Sequence, residues 1–184
     1  MAGKTEILWG VHSVIEALKA GKRTFHSLML ASRKKSRRLE SIEAMARQNR
    51  IPVEHLDTKK IDKITDTQKH QGVALRVSPL PCPNALEVAE RVRQSESPCF
   101  ILIVESIEDP HNLGALLRTA LCAGVDYILV PKDRSVSLSP AVSRSSAGAM
   151  EHANIFMITN TAGVIRSLKD AGVWVSGLDA SGDI

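Results

Sequence analysis

Val104-Glu-Ser-Ile-Glu-Asp-Pro-His-Asn-Leu-Gly-Ala-Leu-Leu-Arg118 is the stretch that decides the fold of this chain. The residues leading into it, Cys99 to Val104, form a short, continuously apolar run, which predicts a strand buried on both faces. Asp109-Pro110 stops that run. Asn112 then stands at or near the start of a helix carrying Leu113, Leu116, Leu117, Ala120 and Leu121. Strand, polar loop and helix in this order put Asn112 and Arg118 at the carboxyl edge of a parallel sheet, where open α/β folds bind their ligands. Taken singly, each residue has an ordinary structural use. Asn112 could cap the helix, Gly114 could allow close helix–sheet packing, and Arg118 could be a solvated charge.

The pattern extends outward on both sides. Downstream, Tyr127–Val130 predicts a strand ended by Pro131, and Ser139–Ala149 a helix with Pro140 in its first turn. Ile155–Ile158 follows as a strand, Ala162–Ala171 as a helix and Val173–Gly177 as another strand, so the sheet is mostly parallel. Upstream, Ala85–Gln94 is an amphipathic helix. Before it, a helix ended by Gly21, a strand over His26–Ala31, a helix through Leu39 and Ile42, a strand over Ile51–Leu56, a short capped helix from Asp57 and a strand over Gly72–Val77 make a compact α/β sandwich. Between the two lies Ser78–Asn84, where Pro79, Pro81 and Pro83 favour a stiff, extended, hinged connection. The chain is thus divided into a front module (1–77), a linker (78–84) and a second unit (85–184).

Composition narrows the partners. With 43% apolar and 24% charged residues the chain is ordinary globular protein, and it has no apolar run of membrane-spanning length and no signal peptide. Cys82, Cys99 and Cys122 lack metal-like spacing, and Cys99 and Cys122 read as core thiols. A cytoplasmic protein with no metal and no membrane partner is expected. The net charge of +4 is unevenly spread: residues 1–78 hold sixteen Lys/Arg against eight Asp/Glu, the remainder eight against twelve. A polyanion partner for the front module follows, with Arg33, Lys34, Lys35, Arg37 and Arg38 as its densest phosphate-binding candidates. The same run is otherwise a solvated loop or helix start. With one Tyr, three Phe and two Trp there are few platforms for stacking bases, so shape and phosphate recognition dominate.

Glu105-Ser-Ile-Glu-Asp-Pro-His-Asn-Leu-Gly-Ala-Leu-Leu-Arg, followed by Gly124-Val-Asp-Tyr-Ile-Leu-Val-Pro-Lys-Asp-Arg and Ser146-Ala-Gly-Ala-Met-Glu, resembles the first signature of the SpoU-type RNA ribose 2′-O-methyltransferases. The opening Trp9-Gly-Val-His-Ser-Val and the later Lys69-His-Gln-Gly-Val-Ala resemble the substrate-binding domain of the subfamily that methylates a guanosine ribose in 23S ribosomal RNA. The resemblance implies a front module with the fold of small kink-turn-binding ribosomal proteins, and a second unit of the knotted SPOUT class. It also implies S-adenosylmethionine as cofactor and a homodimer whose sites are completed across two subunits. Family members continue beyond the position matching Asp183 with the signatures that form most of the cofactor pocket and the trefoil knot. The resemblance therefore implies a C-terminally truncated, inactive fragment of a longer enzyme, whose main cofactor pocket lies beyond Ile184.

Carried over residue by residue, the resemblance makes Asn112 and Arg118 the catalytic pair. Asn112 orients the ribose or a glutamate that the family supplies from beyond Ile184, and Arg118 holds a phosphate bidentately. A guanidinium is a poor base near neutral pH, so His111 is the alternative general base. Glu151 lies near the site, and Leu178 and Asp179 line one wall of the cofactor pocket. His12, His70, Gln71 and Arg134 are further RNA contacts, with helix-start and turn roles as the ordinary alternatives. Glu105, Glu108 and Asp109 read as turn formers and helix-start partners. Transfer RNA is a second possible substrate. The reading from a different class is a non-catalytic RNA-binding protein, which applies if the natural chain ends at Ile184. A nicotinamide-dependent Rossmann enzyme is disfavoured, because no Gly-x-Gly-x-x-Gly follows the first strand.

Overall fold

The computed structural model describes residues 4–32, 36–133 and 135–178. The expectations placed on the chain's end, that Ile184 closes a truncated fragment and that the knot and main cofactor pocket lie past it, therefore fall outside the described residues. Residues 6–77 build one α/β unit: β1 (Glu6–Trp9), α1 (Val11–Ala20), β2 (Phe25–Ala31), α2 (Arg37–Gln48), β3 (Val53–Leu56), α3 (Thr58–Thr65) and β4 (Val73–Val77). The strand order is β1-β4-β2-β3, with β4 antiparallel to both neighbours and β2 parallel to β3. Period-two alternation divides the sheet between two cores. Leu28, Leu30, Val73, Leu75 and Val77 pack with Val14, Leu18, Leu39 and Ile42 of α1 and α2, whereas Met29, Ala31 and Ala74 pack with Ile61 of α3. β1 is absent from the sequence expectation. It is four residues long, begins with a glutamate, and is defined by its register, from Glu6 opposite Val77 to Trp9 opposite Ala74.

The second unit is a parallel sheet, β5 (Ile101–Ile103), β6 (Tyr127–Pro131) and β7 (Ile155–Ile158), in that order. α4 (Leu86–Gln94) and α8 (Thr161–Asp170) cover one face through Val88, Val164 and Leu168 against Leu129 and Phe156. α5 (Pro110–Cys122), α6 (Pro140–Ser145) and α7 (Ala149–His152) cover the other, with Leu113, Leu117, Val142 and Met150 against Ile128 and Val130.

Four local expectations are corrected. β5 is a half-buried edge strand preceded by exposed Phe100, and the doubly buried strand is β6, at the centre of the sheet. The single helix over Ser139–Ala149 is two helices, because Ala147 and Gly148 take left-handed backbone (φ 53° and 88°). Val173–Gly177 is not a strand: its β-favouring residues have no sheet neighbour among the described residues, and Trp174 is 98% exposed. Cys122 is exposed and Cys99 half-buried, so neither is a core thiol.

The two units are docked. Arg23, fully buried at its side chain, donates through Nε and Nη2 to the two Glu151 carboxylate oxygens at 2.7 and 3.0 Å. Its Nη1 donates to Glu6 Oε2 and to the Ser78 carbonyl, while Ser143 Oγ donates to Glu151 Oε1 at 2.8 Å. Lys22 Nζ donates to the His152 and Ala153 carbonyls at the end of α7, where helix carbonyls lack partners. His152 Nε2 meets Glu16 Oε2 at 2.8 Å. Gly148 is what lets α7 approach: a Cβ there would lie 2.6 Å from Glu16 Cβ. The proline-rich stretch is tied down at both ends rather than hinged. Ser78 exchanges hydrogen bonds with Thr24, and Pro83 and Ala85 bond the backbone of Met157.

Candidate active site

α5 follows the edge strand after a six-residue loop, residues 104–109, and its start is set by Asp109, not by Asn112. Asp109 takes extended backbone and its carboxylate accepts from the His111 N–H at 2.9 Å, with Pro110 in the first turn. Asn112, relieved of capping, presents an exposed side chain in that turn, and His111 beside it is exposed too. Gly114 lies beneath α6: a Cβ would overlap Ser145 Oγ and the Ser146 backbone, so this helix pair needs a glycine there. Ser145 Oγ donates to the Pro110 carbonyl at 2.7 Å and fixes the same end. Arg118, six residues beyond Asn112, is also exposed. Helix geometry puts the two about 9 Å apart along the axis and about 120° apart around it. Among the described residues neither side chain makes a hydrogen bond or ion pair, so one chain does not close the pair around a single atom.

At the carboxyl ends of all three parallel strands lies a cavity of about 280 Å³. Its lining is Glu105 after β5, Pro131 and Asp133 of β6 and the turn after it, and Ile158, Thr159 and Thr161 at the passage from β7 into α8. Thr161 Oγ1 donates to Glu105 Oε2 at 3.3 Å. Among the described residues the polar groups of this lining are carboxylates and hydroxyls, which suit ligand hydroxyls or positive charge. Glu105 thus lines the cavity, whereas Asp109 is the helix cap and Glu108 is exposed. Thr159 and Thr161 are absent from the sequence expectation. The signal for them is the rule applied to the first strand, since Asn160 caps a helix directly after an apolar run.

Other expected site residues fall elsewhere. His70 is corrected: it is 2% exposed, its Nδ1 accepts the Gly72 N–H at 3.0 Å and its Nε2 meets Asp62 at 2.8 Å, leaving no nitrogen for RNA. Glu151 has its whole carboxylate committed to Arg23 and Ser143. Leu178 is fully exposed and forms no pocket wall among the described residues. His12 is exposed, and Gln71 is exposed with its Oε1 accepting from the Val11 N–H. Arg37 and Arg38 stand exposed in the first turn of α2, where the helix dipole disfavours cations and favours an incoming anion. Arg33, Lys34, Lys35, Arg134, Asp179 and Ile184 lie outside the described residues. Among the described residues no helix is long and apolar enough to cross a membrane, and no three His, Cys, Asp or Glu side chains gather for a metal.

Known proteins resemble both units. Residues 7–83 match the family model for RNA 2′-O ribose methyltransferase substrate binding, and residues 99–184 match that of the SpoU rRNA methylase family. A putative TrmH family tRNA/rRNA methyltransferase of Staphylococcus saprophyticus is 35% identical over 174 residues, 95% of this chain and 69% of its own length. The 23S rRNA (guanosine-2′-O-)-methyltransferase RlmB of Pseudomonas putida is 36% identical over 172 residues, 94% of this chain and 69% of its own. The AdoMet-bound rRNA methyltransferase of Sinorhizobium meliloti superposes with a TM-score of 0.68 at 22% identity, over 91% of this chain and 59% of that one. The chain therefore spans about three-fifths of that solved structure, and the likeness speaks to fold.

Proposed function

The chain belongs to the SpoU family of RNA methylases, and on that premise we propose that it acts in S-adenosylmethionine-dependent methylation of a ribose 2′-hydroxyl, at a guanosine of 23S ribosomal RNA. The observation that supports this reading is the acceptor-lined cavity at the carboxyl edge of the parallel sheet, the edge from which the chain runs on from β5 to α5. A sulfonium cofactor with a ribose diol suits Glu105, Asp133 and Thr161, which would hold part of it. At about 280 Å³ the cavity is slightly smaller than the usual range for ligand pockets. When bound, the cofactor supplies an electrophilic methyl group. The protein's own residues do the rest. Asn112 orients the ribose, and Arg118 holds a neighbouring phosphate without acting as base. His111 is the side chain in the same turn suited to taking the hydroxyl proton. The exposed Arg37, Arg38 and His12 of the front module position the RNA through its backbone. The unshared Asn112 and Arg118 side chains fit a site completed by a second copy of the chain, which is part of the same proposal.

The tRNA/rRNA description of the staphylococcal relative keeps transfer RNA as a second reading of the substrate. Deleting the gene that encodes this chain and mapping ribose methylation in ribosomal and transfer RNA by mass spectrometry decides between them. Loss of one 2′-O-methylguanosine in 23S RNA supports the first reading, and loss confined to transfer RNA moves the substrate. An unchanged methylation map removes the enzymatic reading and leaves a non-catalytic RNA-binding protein.

A further inference from the structure

Arg144 is the charged side chain on α6 that the docking of the two units leaves without a counter-ion. It is half-buried, and among the described residues it makes neither a hydrogen bond nor an ion pair. Among the described residues, the charged groups that tie the two units together are already committed: Glu151 to Arg23 and Ser143, Glu16 to Lys19 and His152, and Lys22 to the last carbonyls of α7. The guanidinium lies flat over Gly10 at the head of α1. A Cβ placed on Gly10 would meet Nη1, Cζ and Nε at 2.8, 3.0 and 3.2 Å, so any other residue at position 10 would push the arginine away. The same backbone step receives Gln71 from the front module, whose Oε1 accepts from the Val11 N–H at 2.9 Å. His12, one residue on, and Lys69, two before Gln71, are exposed. A planar cation held by packing, with its hydrogen-bonding capacity unspent, lies where an exposed polar rim of one unit meets the other.

We propose that Arg144 is a phosphate-binding positioning residue, which carries the RNA backbone from the rim formed by His12, Lys69 and Gln71 onto the methylase unit. The proposal rests on the RNA reading above and adds to it a specific contact at the junction. A guanidinium suits this place because its fork takes two phosphate oxygens together, which fixes direction as well as charge. Its pre-ordering by Gly10 reduces the side-chain freedom lost on binding.

The test is the salt dependence of binding to a fluorescein-labelled RNA stem-loop, measured by anisotropy for the wild-type protein, Arg144→Gln and Arg144→Lys. Arg144→Gln should weaken binding about tenfold and reduce the slope of log affinity against log salt by about one. Arg144→Lys should keep the slope, because the charge remains, while losing part of the affinity with the fork. A slope unchanged in Arg144→Gln overturns the proposal while leaving the RNA reading intact. So does a lost slope accompanied by a larger radius in solution scattering, since the residue would then be acting through docking alone. No salt-dependent RNA binding by the wild-type protein overturns both.

Discussion

The seam between the two units and the carboxyl edge of the second sheet are built from similar residue types and treat them in opposite ways. At the seam, Arg23, Glu151, Glu6 and Ser143 are buried or nearly so, and their hydrogen bonds run mainly to one another. At the edge, Asn112, Arg118 and His111 stand exposed with no side-chain partner among the described residues, on a helix whose other side is fully buried. Fully satisfied charges hold a geometry, and unsatisfied ones remain available to a ligand. In this molecule the buried pairs of the seam serve the docking, and Asn112, Arg118 and His111 are left open to a ligand.

The largest effect should come from breaking the seam. Glu151→Ala leaves the Arg23 guanidinium buried with half its partners and should cost about 3–5 kcal/mol in urea denaturation. A cost below about 1 kcal/mol would mean that water reaches the pair and that the contrast with the edge is false. Next comes the support under the edge. Gly114→Ala drives a methyl group into Ser145 and the Ser146 backbone and should destabilise by about 1–3 kcal/mol. An unchanged unfolding midpoint would show that α5 slides freely over α6. A smaller, pH-dependent effect belongs to Glu16. Burial pushes its carboxyl up, but hydrogen bonds from Lys19 and His152 outweigh this and leave it below its ordinary value. Its contribution is therefore complete above the unfolded-state value, about 4.3, and is lost as pH falls through the lower folded-state value. Glu16→Gln should flatten that acid limb of the stability profile, and an identical limb would remove the group from the account. Smallest in stability is Arg118→Ala, expected within about 0.5 kcal/mol of wild type. Introduced into the full-length gene and supplied to the deletion strain, where the unsubstituted gene restores methylation, the same substitution should fail to do so, and full restoration would separate Arg118 from the chemistry.

Much of the fold was legible where period and punctuation agree. The apolar run, Asp109-Pro110 and the leucine spacing locate α5 because cap, proline and hydrophobic stripe are all local signals. The segments that misled are those whose state depends on a distant neighbour. Val173-Trp174-Val175 has strand propensity but no sheet partner among the described residues, and Ala147-Gly148 breaks a helix so that α7 can reach Glu16. Of the proposed site, Asn112 and Arg118 stand out through the motif that carries them, whereas Thr159 and Thr161 acquire meaning only when β7 lies beside β6. His70 was misplaced, and the partners of Glu151 went unseen, for one reason. A polar residue in a sequence gives no sign of whether its partner is solvent, RNA or an Asp62 or Arg23 elsewhere in the chain.

The proline-rich passage from Ser78 to Asn84 has a consequence for how a substrate is met. It is laced to Thr24 on one bank and to Met157 on the other, so a swing of the front module would have to unpick hydrogen bonds at both shores together. On the RNA reading proposed above, this passage acts as a brace between the two units, and the substrate is the more pliable party to the encounter.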